Sequence, residues 1–266
     1  MAVGTVTIKT EEEIDLIRES AQLVGKALGE VSKLIEPGVS TLKLDQVAEE
    51  CIRDHGGVPA FKDYKQSPTD TPFPGTLCVS VNEEVVHGFP LADKYLQDGD
   101  IVAVDCGVYM NGYYGDCAYT FGVGAVASKR RRLMKVTQEA LYKGLAKAVD
   151  GGFLGDVSHA IQYHVESYGY SIVREMVGHG IGANLHEPPE VPNYGRKRSG
   201  LKLAEGMVLA IEPMVNLGRR KIVVESDGWT IRTSDRSPSA HYEHTVVIRK
   251  NQCEILSSHD FIVNKI

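Results

Sequence analysis

GDIVAVDCGVYMNGYYGDCAYTFG, residues 99–122, sets two aspartates inside runs that otherwise read as buried strand. Asn111-Gly112 separates those runs, and both residues tolerate positive φ, so the pair marks a two-residue hairpin loop. Pairing Met110 with Tyr113 sets Gly107 opposite Asp116. Asp105 and Asp116 then lie diagonally on one face, with Cβ atoms roughly 7 Å apart or less. Carboxylates at that separation can share a cation. A bulge or a three-residue loop would send them to opposite faces. The plainer alternative is one buried Asp bonded to backbone amides and a second Asp in a turn.

The 266 residues are 42% hydrophobic and 24% charged, which supports a substantial core and nothing disordered. One large domain is expected. The opening MAVGTVTIKTEEE has neither the basic region nor the apolar run of a signal peptide. No stretch reaches the roughly 18 apolar residues of a membrane span, so a cytoplasmic location is expected. Cysteines 51, 78, 106, 117 and 253 include no CxxC pair and indicate neither a disulfide framework nor a thiolate zinc site. A net charge of −6 argues against a general nucleic-acid binder. Lys129–Arg132, Arg196–Arg198 and Arg219–Lys221 are nonetheless three basic clusters, which motivates a transient footing on an anionic surface such as ribosomal RNA.

Thr10 and Glu13 make a capping box for a long amphipathic helix carrying Ile14, Ile17, Ala21, Val24, Leu28, Val31 and Ile35. Pro37-Gly38 stops it, and Thr41 is placed to cap a second helix that ends at Gly56-Gly57. Val58 to Gly75, with prolines at 59, 68, 72 and 74, reads as a long irregular loop. Leu77 to Asn82 and Val85 to His87 read as short strands. Ser128 to Val149 and Asp156 to Tyr168 form a second helix pair, an order that repeats the first at an offset of about 112 residues and hints at a pseudo-symmetric α/β domain. Ser171 to Val177 reads as strand, Gly178 to Gly182 as a glycine loop around His179, and His186 follows at the head of HEPP. Met207 to Val215, Gly228 to Thr233 and Tyr242 to Ile248 read as the closing strands. Glu212 and Glu243 interrupt two of them as Asp105 interrupts the first.

Asp105, Asp116, His179, Glu212 and Glu243 form a hard ligand set suited to divalent Mn, Fe, Co or Zn. Five such residues fit a two-metal site, which lowers the pKa of a bridging water and clamps an attacked carbonyl, and hydrolysis is the natural chemistry. The competing view has four separate buried acids, each paired with one of the 29 Lys and Arg residues. No base stands within these strand cores.

Taken in order, HGFP, VDCGVYMNGYYGDCAYTF, VGHGIGANLHEPP, VLAIEPMV and YEHTVVI resemble the successive signatures of the type I methionine aminopeptidases over nearly the whole chain. The resemblance implies the family's pita-bread fold, an α/β (α+β) architecture of pseudo-two-fold halves with a curved antiparallel sheet covered by helices. It implies one catalytic domain over residues 1–266, with a short N-terminal arm, 1–10. It implies two divalent ions: Asp105 chelating one, Asp116 and Glu243 bridging both, and His179 with Glu212 holding the other. A bridging hydroxide would attack the carbonyl of an N-terminal methionine while Glu212 handles the proton, His186 stabilises the oxyanion and His87 bonds the scissile amide nitrogen. Cys78, Phe73 and Trp229 fall at or near positions that line the methionine pocket.

Two departures from the pattern are visible. Leu185 stands where bacterial members commonly carry an aromatic residue, and the loop around Lys62 to Pro72 is longer than usual. The substrates implied are nascent polypeptide N-termini, and a monomer is expected. Two other readings share these residues: a prolidase or aminopeptidase P relative, whose large N-terminal domain has no space here, and a catalytically dead pita-bread protein that only holds peptides, which would ordinarily have lost ligands.

Overall fold

The structure, a computed structural model, describes residues 5–65, 67–69 and 71–263. The central hairpin forms in the expected register. Strands Ile101–Met110 and Tyr113–Gly122 pair Met110 with Tyr113 and Gly107 with Asp116, and Asn111 (φ 53°) and Gly112 (φ 89°) supply the positive φ that the two-residue loop demands. Asp105 faces Ala118 across the ladder, two residue pairs from the Gly107–Asp116 rung and therefore on the same face as Asp116. Leu77–Val81 adds on the other side of Ile101–Met110, setting Cys78 directly opposite Asp105.

Two helix pairs cover the strands. Helix α1 (Glu11–Ser32) begins with the expected capping box, Thr10 accepting from Glu13 N and Glu13 accepting from Thr10 N. It lies so close to the hairpin that a Cβ on Gly115 would sit 2.3 Å from the Ala21 nitrogen. Helix α2 (Thr41–Asp54) is capped by Ser40 rather than Thr41. The Thr41 hydroxyl instead closes a two-bond ring with the backbone of Leu91, which fastens the helix start to the following loop. Helices α3 (Ser128–Leu145) and α4 (Leu154–Ser167) pack together as α1 and α2 do and cover the second half's strands. The expected repeat of helix, turn, helix, strand is therefore present in the element order.

Several expected elements differ. Val58–Pro59 is a short strand on Tyr109 and Val108, not irregular loop. The expected strand from Ser171 reduces to Ser171–Ile172. Gly178–Gly180, expected as a loop, is an inner strand of a five-stranded sheet ordered Glu254–Ile255, His244–Val247, Val208–Ile211, Gly178–Gly180, Glu187–Val191. Its glycines serve close approach rather than turning: a Cβ on Gly178 would lie 2.3 Å from the Ala210 oxygen, and one on Gly180 as near the Pro188 oxygen.

The expected strand 207–215 is two, Val208–Ile211 and Met214–Asn216, and its partner is likewise split into Ser239–His241 and His244–Val247. Register runs through both breaks, since Ile211 faces His244 and Met214 faces His241. Glu212-Pro213 and Tyr242-Glu243 thus oppose each other in one gap. Pro213 has no N–H to give the ladder, and the two acids are left free to turn toward the hairpin. Thr245 joins the two ribbons there, its Oγ1 accepting from Asp116 N and donating to Asp116 O, while Glu243 N donates to Ala118 O.

Candidate active site

The hairpin face carrying Asp105 and Asp116 and the strand gap carrying Glu212 and Glu243 meet at the floor of a cavity of ≈ 130 Å³. His179, from Gly178–Gly180, enters the same floor. All five sequence-selected acid and imidazole donors are gathered there, and the ligating atoms of Asp116, His179 and Glu243 lie within 4.8 Å of one another. His179 Nε2 is 3.7 Å from Glu212 Oε1 and 3.9 Å from Asp116 Oδ2.

These contacts are not ion pairs. His179 Nδ1 lies 2.9 Å from the Gly180 carbonyl, which can only accept, so Nδ1 carries the proton and Nε2 turns a lone pair toward the carboxylates. Burial, with His186 nearby, lowers the His179 pKa to about 3. Lone pairs thus face lone pairs. Burial raises the pKa of all four acids, and mutual repulsion adds to it at Asp105, Asp116 and Glu243. Asp105 Oδ1, Asp116 Oδ1 and Glu243 Oε1 are buried without a hydrogen-bond partner, and no Lys or Arg among the described residues forms an ion pair with any of the four. Such an array is costly unless cations occupy its centre, and its donors fit hard or borderline divalent ions.

Two further imidazoles stand over the floor. His186 has its ring centroid 4.4 Å from that of His179, and its Nδ1 is 2.7 Å from the Tyr64 hydroxyl. His87 sits just past the strand Glu84–Val86 at φ 59°, a strained conformation for a non-glycine residue that redirects the chain as it reaches the cavity. Burial and the neighbouring imidazoles lower its pKa to about 4, so it is neutral at ordinary pH.

The cavity's other wall is apolar. Phe73 packs edge-on against Trp229 (5.4 Å) and Phe89 (5.3 Å), Cys78 lies beside Asp105's strand, and Leu185, Met214 and Phe61 complete the enclosure. Trp229 Nε1 donates to the Thr71 carbonyl and so ties Thr71 to the rim; residues 66 and 70 of the 62–72 loop lie outside the described residues. Cys78, Phe73 and Trp229 all line the cavity, as do His87 and His186.

Sequence reasoning missed Tyr64, which lies in the long loop, and His241, whose Nε2 is 3.4 Å from Glu212 Oε2. His241 precedes Glu243 by two residues, the spacing of one strand face, and that periodicity was a usable signal. Cys117, His244 and His259 form a second buried cluster behind the floor. Its groups meet neighbours: Ser257 and Tyr142 occupy the two nitrogens of His244, Cys117 donates to the Glu243 carbonyl, and the His244 and His259 rings lie tilted against each other with centroids 4.0 Å apart. With the Cys117 thiol and both His244 nitrogens already hydrogen-bonded, this cluster braces the strands.

Residues 15–250 match the model of metallopeptidase family M24. The chain is 48% identical over 252 residues to the methionine aminopeptidase of Clostridium acetobutylicum (95% of this chain, 98% of the relative). This chain belongs to metallopeptidase family M24, among its type I methionine aminopeptidases. It is 46% identical to methionine aminopeptidase 1 of Bacillus subtilis over 95% of this chain and 99% of that one. The family's crystal structure from Rickettsia prowazekii superposes with a TM-score of 0.92 at 39% identity, over 96% of this chain and all of that one. Prolidase from Pyrococcus furiosus superposes at 0.75 with 23% identity and 65% of its length covered, a likeness of fold alone. The architecture is the pita-bread fold, the chain is a hydrolase of the metallo-exopeptidase class, and membership implies divalent-metal binding. No helix among the described residues is long and apolar enough to cross a membrane.

Proposed function

We propose that this chain, as a single catalytic domain, removes the N-terminal methionine from nascent proteins and peptides whose second residue is small. The observation that carries the reading is the join of a five-donor floor, whose acids meet no Lys or Arg among the described residues, to an apolar, sulfur- and aromatic-lined cavity sized for one side chain. Asp105, Asp116, His179, Glu212 and Glu243 would hold two divalent ions from among Co, Mn, Fe and Zn. When bound, such ions supply Lewis acidity and make water a nucleophile near neutral pH.

The protein groups do the remainder. Trp229, Phe73 and Cys78 receive the methionine side chain, whose polarisable sulfur suits aromatic and thiol neighbours. That places the substrate's free amine and first carbonyl over the acidic floor. Glu212 takes a proton from the attacking water and returns it to the leaving amine. His186, with the Tyr64 phenol donating to Nδ1, presents Nε2–H to the developing oxyanion. His87, neutral, bonds the scissile amide nitrogen. An acetylated or formylated terminus loses its place at the floor and is refused.

Outside the site, Lys129, Arg131, Arg132, Arg196, Lys197, Arg198, Arg219, Arg220 and Lys221 are exposed and would give a cytoplasmic monomer a weak footing on the ribosome. Metal analysis of purified protein, followed by release of methionine from Met-Gly and Met-Ala peptides before and after chelation, tests the central reading. Activity that survives both chelation and Asp116→Ala overturns it.

A further inference from the structure

The Glu212 carboxylate sits between two imidazoles whose nitrogens differ in kind. On one side His179 Nε2, 3.7 Å from Oε1, offers a lone pair, because its Nδ1–H is committed to the Gly180 carbonyl. On the other side His241 Nε2 lies 3.4 Å from Oε2. His241 is 1% exposed, and its Nε2 is buried with no hydrogen-bond partner of full geometry. Its backbone is fixed at both ends of the residue: the N–H donates to Thr120 Oγ1 (2.9 Å), and Thr120 Oγ1–H donates to its carbonyl (2.7 Å). Strand pairing with Met214 holds it two positions from Glu212 across the ladder. A rigidly mounted, water-excluded nitrogen that has no other partner and lies 3.4 Å from a carboxylate oxygen is placed to donate to it.

We propose that His241 is a positioning residue for the metal floor: its Nε2–H hydrogen-bonds Glu212 Oε2, orients the carboxylate, and leaves Oε1 turned toward His179 and the other donors. The Glu212 main chain is held independently, its carbonyl accepting from Asn193 Nδ2 at 3.0 Å, so the side chain is the only part of the residue left to orient. Outer partners of this kind fix the rotamer of a ligating carboxylate, and losing one typically costs about 10- to 100-fold in metal affinity or activity. The assignment rests on the metal-centre reading above.

The test is a titration of chelator-stripped protein with Co(II) alone, followed by calorimetry and by the visible absorption of the bound ion, on wild type, His241→Leu, His241→Gln and His241→Asn. Thermal melts of the stripped proteins report folding separately. His241→Leu is expected to weaken Co(II) binding about 10- to 100-fold, and His241→Gln, whose carboxamide N–H extends to similar reach, to restore most of the loss. If the leucine variant fails to fold, His241→Asn, with a donor too short to reach, carries the same expectation. In peptide cleavage the loss should fall on kcat more than on KM. A wild-type protein that takes up no cobalt overturns the metal centre, and His241's part with it. Normal uptake by wild type and by folded His241→Leu overturns the role of His241 alone, as does a glutamine variant no better than leucine.

Discussion

Replacing Asp105 with asparagine removes one carboxyl from the crowded floor while keeping its shape, and the sign of the stability change separates a metal site from a set of structural acids. Asp105 lines the cavity wall, so what surface it has faces the pocket rather than bulk water. Burial is the main cause that drives its pKa from 3.8 to about 7, with His241 pulling down and the charge on Glu212 pushing up. A gap of about three pH units at roughly 1.4 kcal/mol each sets an upper bound of about 4 kcal/mol on the cost of holding Asp105 ionised in metal-free protein. Protons shared among the four acids reduce this to about 2–4 kcal/mol.

A folded pKa raised above the unfolded value means stability is greatest below pH 3.8 and is lost as pH rises through about 7. Stripped Asp105→Asn should therefore melt above stripped wild type at pH 8, by about 4–12 °C for a chain of this size. The advantage should shrink toward nothing near pH 4. Saturating Mn(II) should reverse the order, because wild type gains binding energy that the variant cannot. Calorimetric melts at the two pH values, with and without Mn(II), read all of this. A stripped variant less stable than wild type at pH 8 would refute the reasoning and return Asp105 to a structural role.

Three other outcomes are expected. Tyr64→Phe removes the hydroxyl 2.7 Å from His186 Nδ1 that would hold the ring in place, so kcat on a Met-Ala peptide should drop about tenfold, the worth of one ordinary hydrogen bond, with KM little changed; an unchanged kcat sinks that role. Lys9→Met strands the Glu187 carboxylate, 10% exposed and bonded to Lys9 at 2.6 Å, and urea denaturation should show a loss of about 3–5 kcal/mol that is largely recovered in the Lys9→Met/Glu187→Met double variant. Asp45 accepts the amides of Thr76 and Leu77, and burial raises its pKa to about 6. Asp45→Asn keeps the acceptor without the charge, so it should stabilise by up to about 3 kcal/mol at pH 8 and not at all near pH 4.

The sequence by itself determined what local rules govern. Asn-Gly and period-two alternation specified the hairpin register, and with it the shared face of Asp105 and Asp116. Helical spacing and Thr10-x-x-Glu13 specified α1, and acids inside apolar strands singled out the four carboxylates. Tertiary structure decided whatever depends on a distant partner. Gly178–Gly180 reads as a loop because glycine usually signals a turn, yet here its missing Cβ atoms admit the backbones on either side. Met207 to Val215 reads as one strand because Pro213's missing donor matters only once a pairing strand is present, and that strand is broken opposite it at Glu243. Tyr64 on His186, Lys9 on Glu187 and His241 against Glu212 are separated by 122, 178 and 29 residues. The choice of such partners is made by packing, since hydrogen bonds and buried charges depend on angstroms in space that sequence distance does not encode.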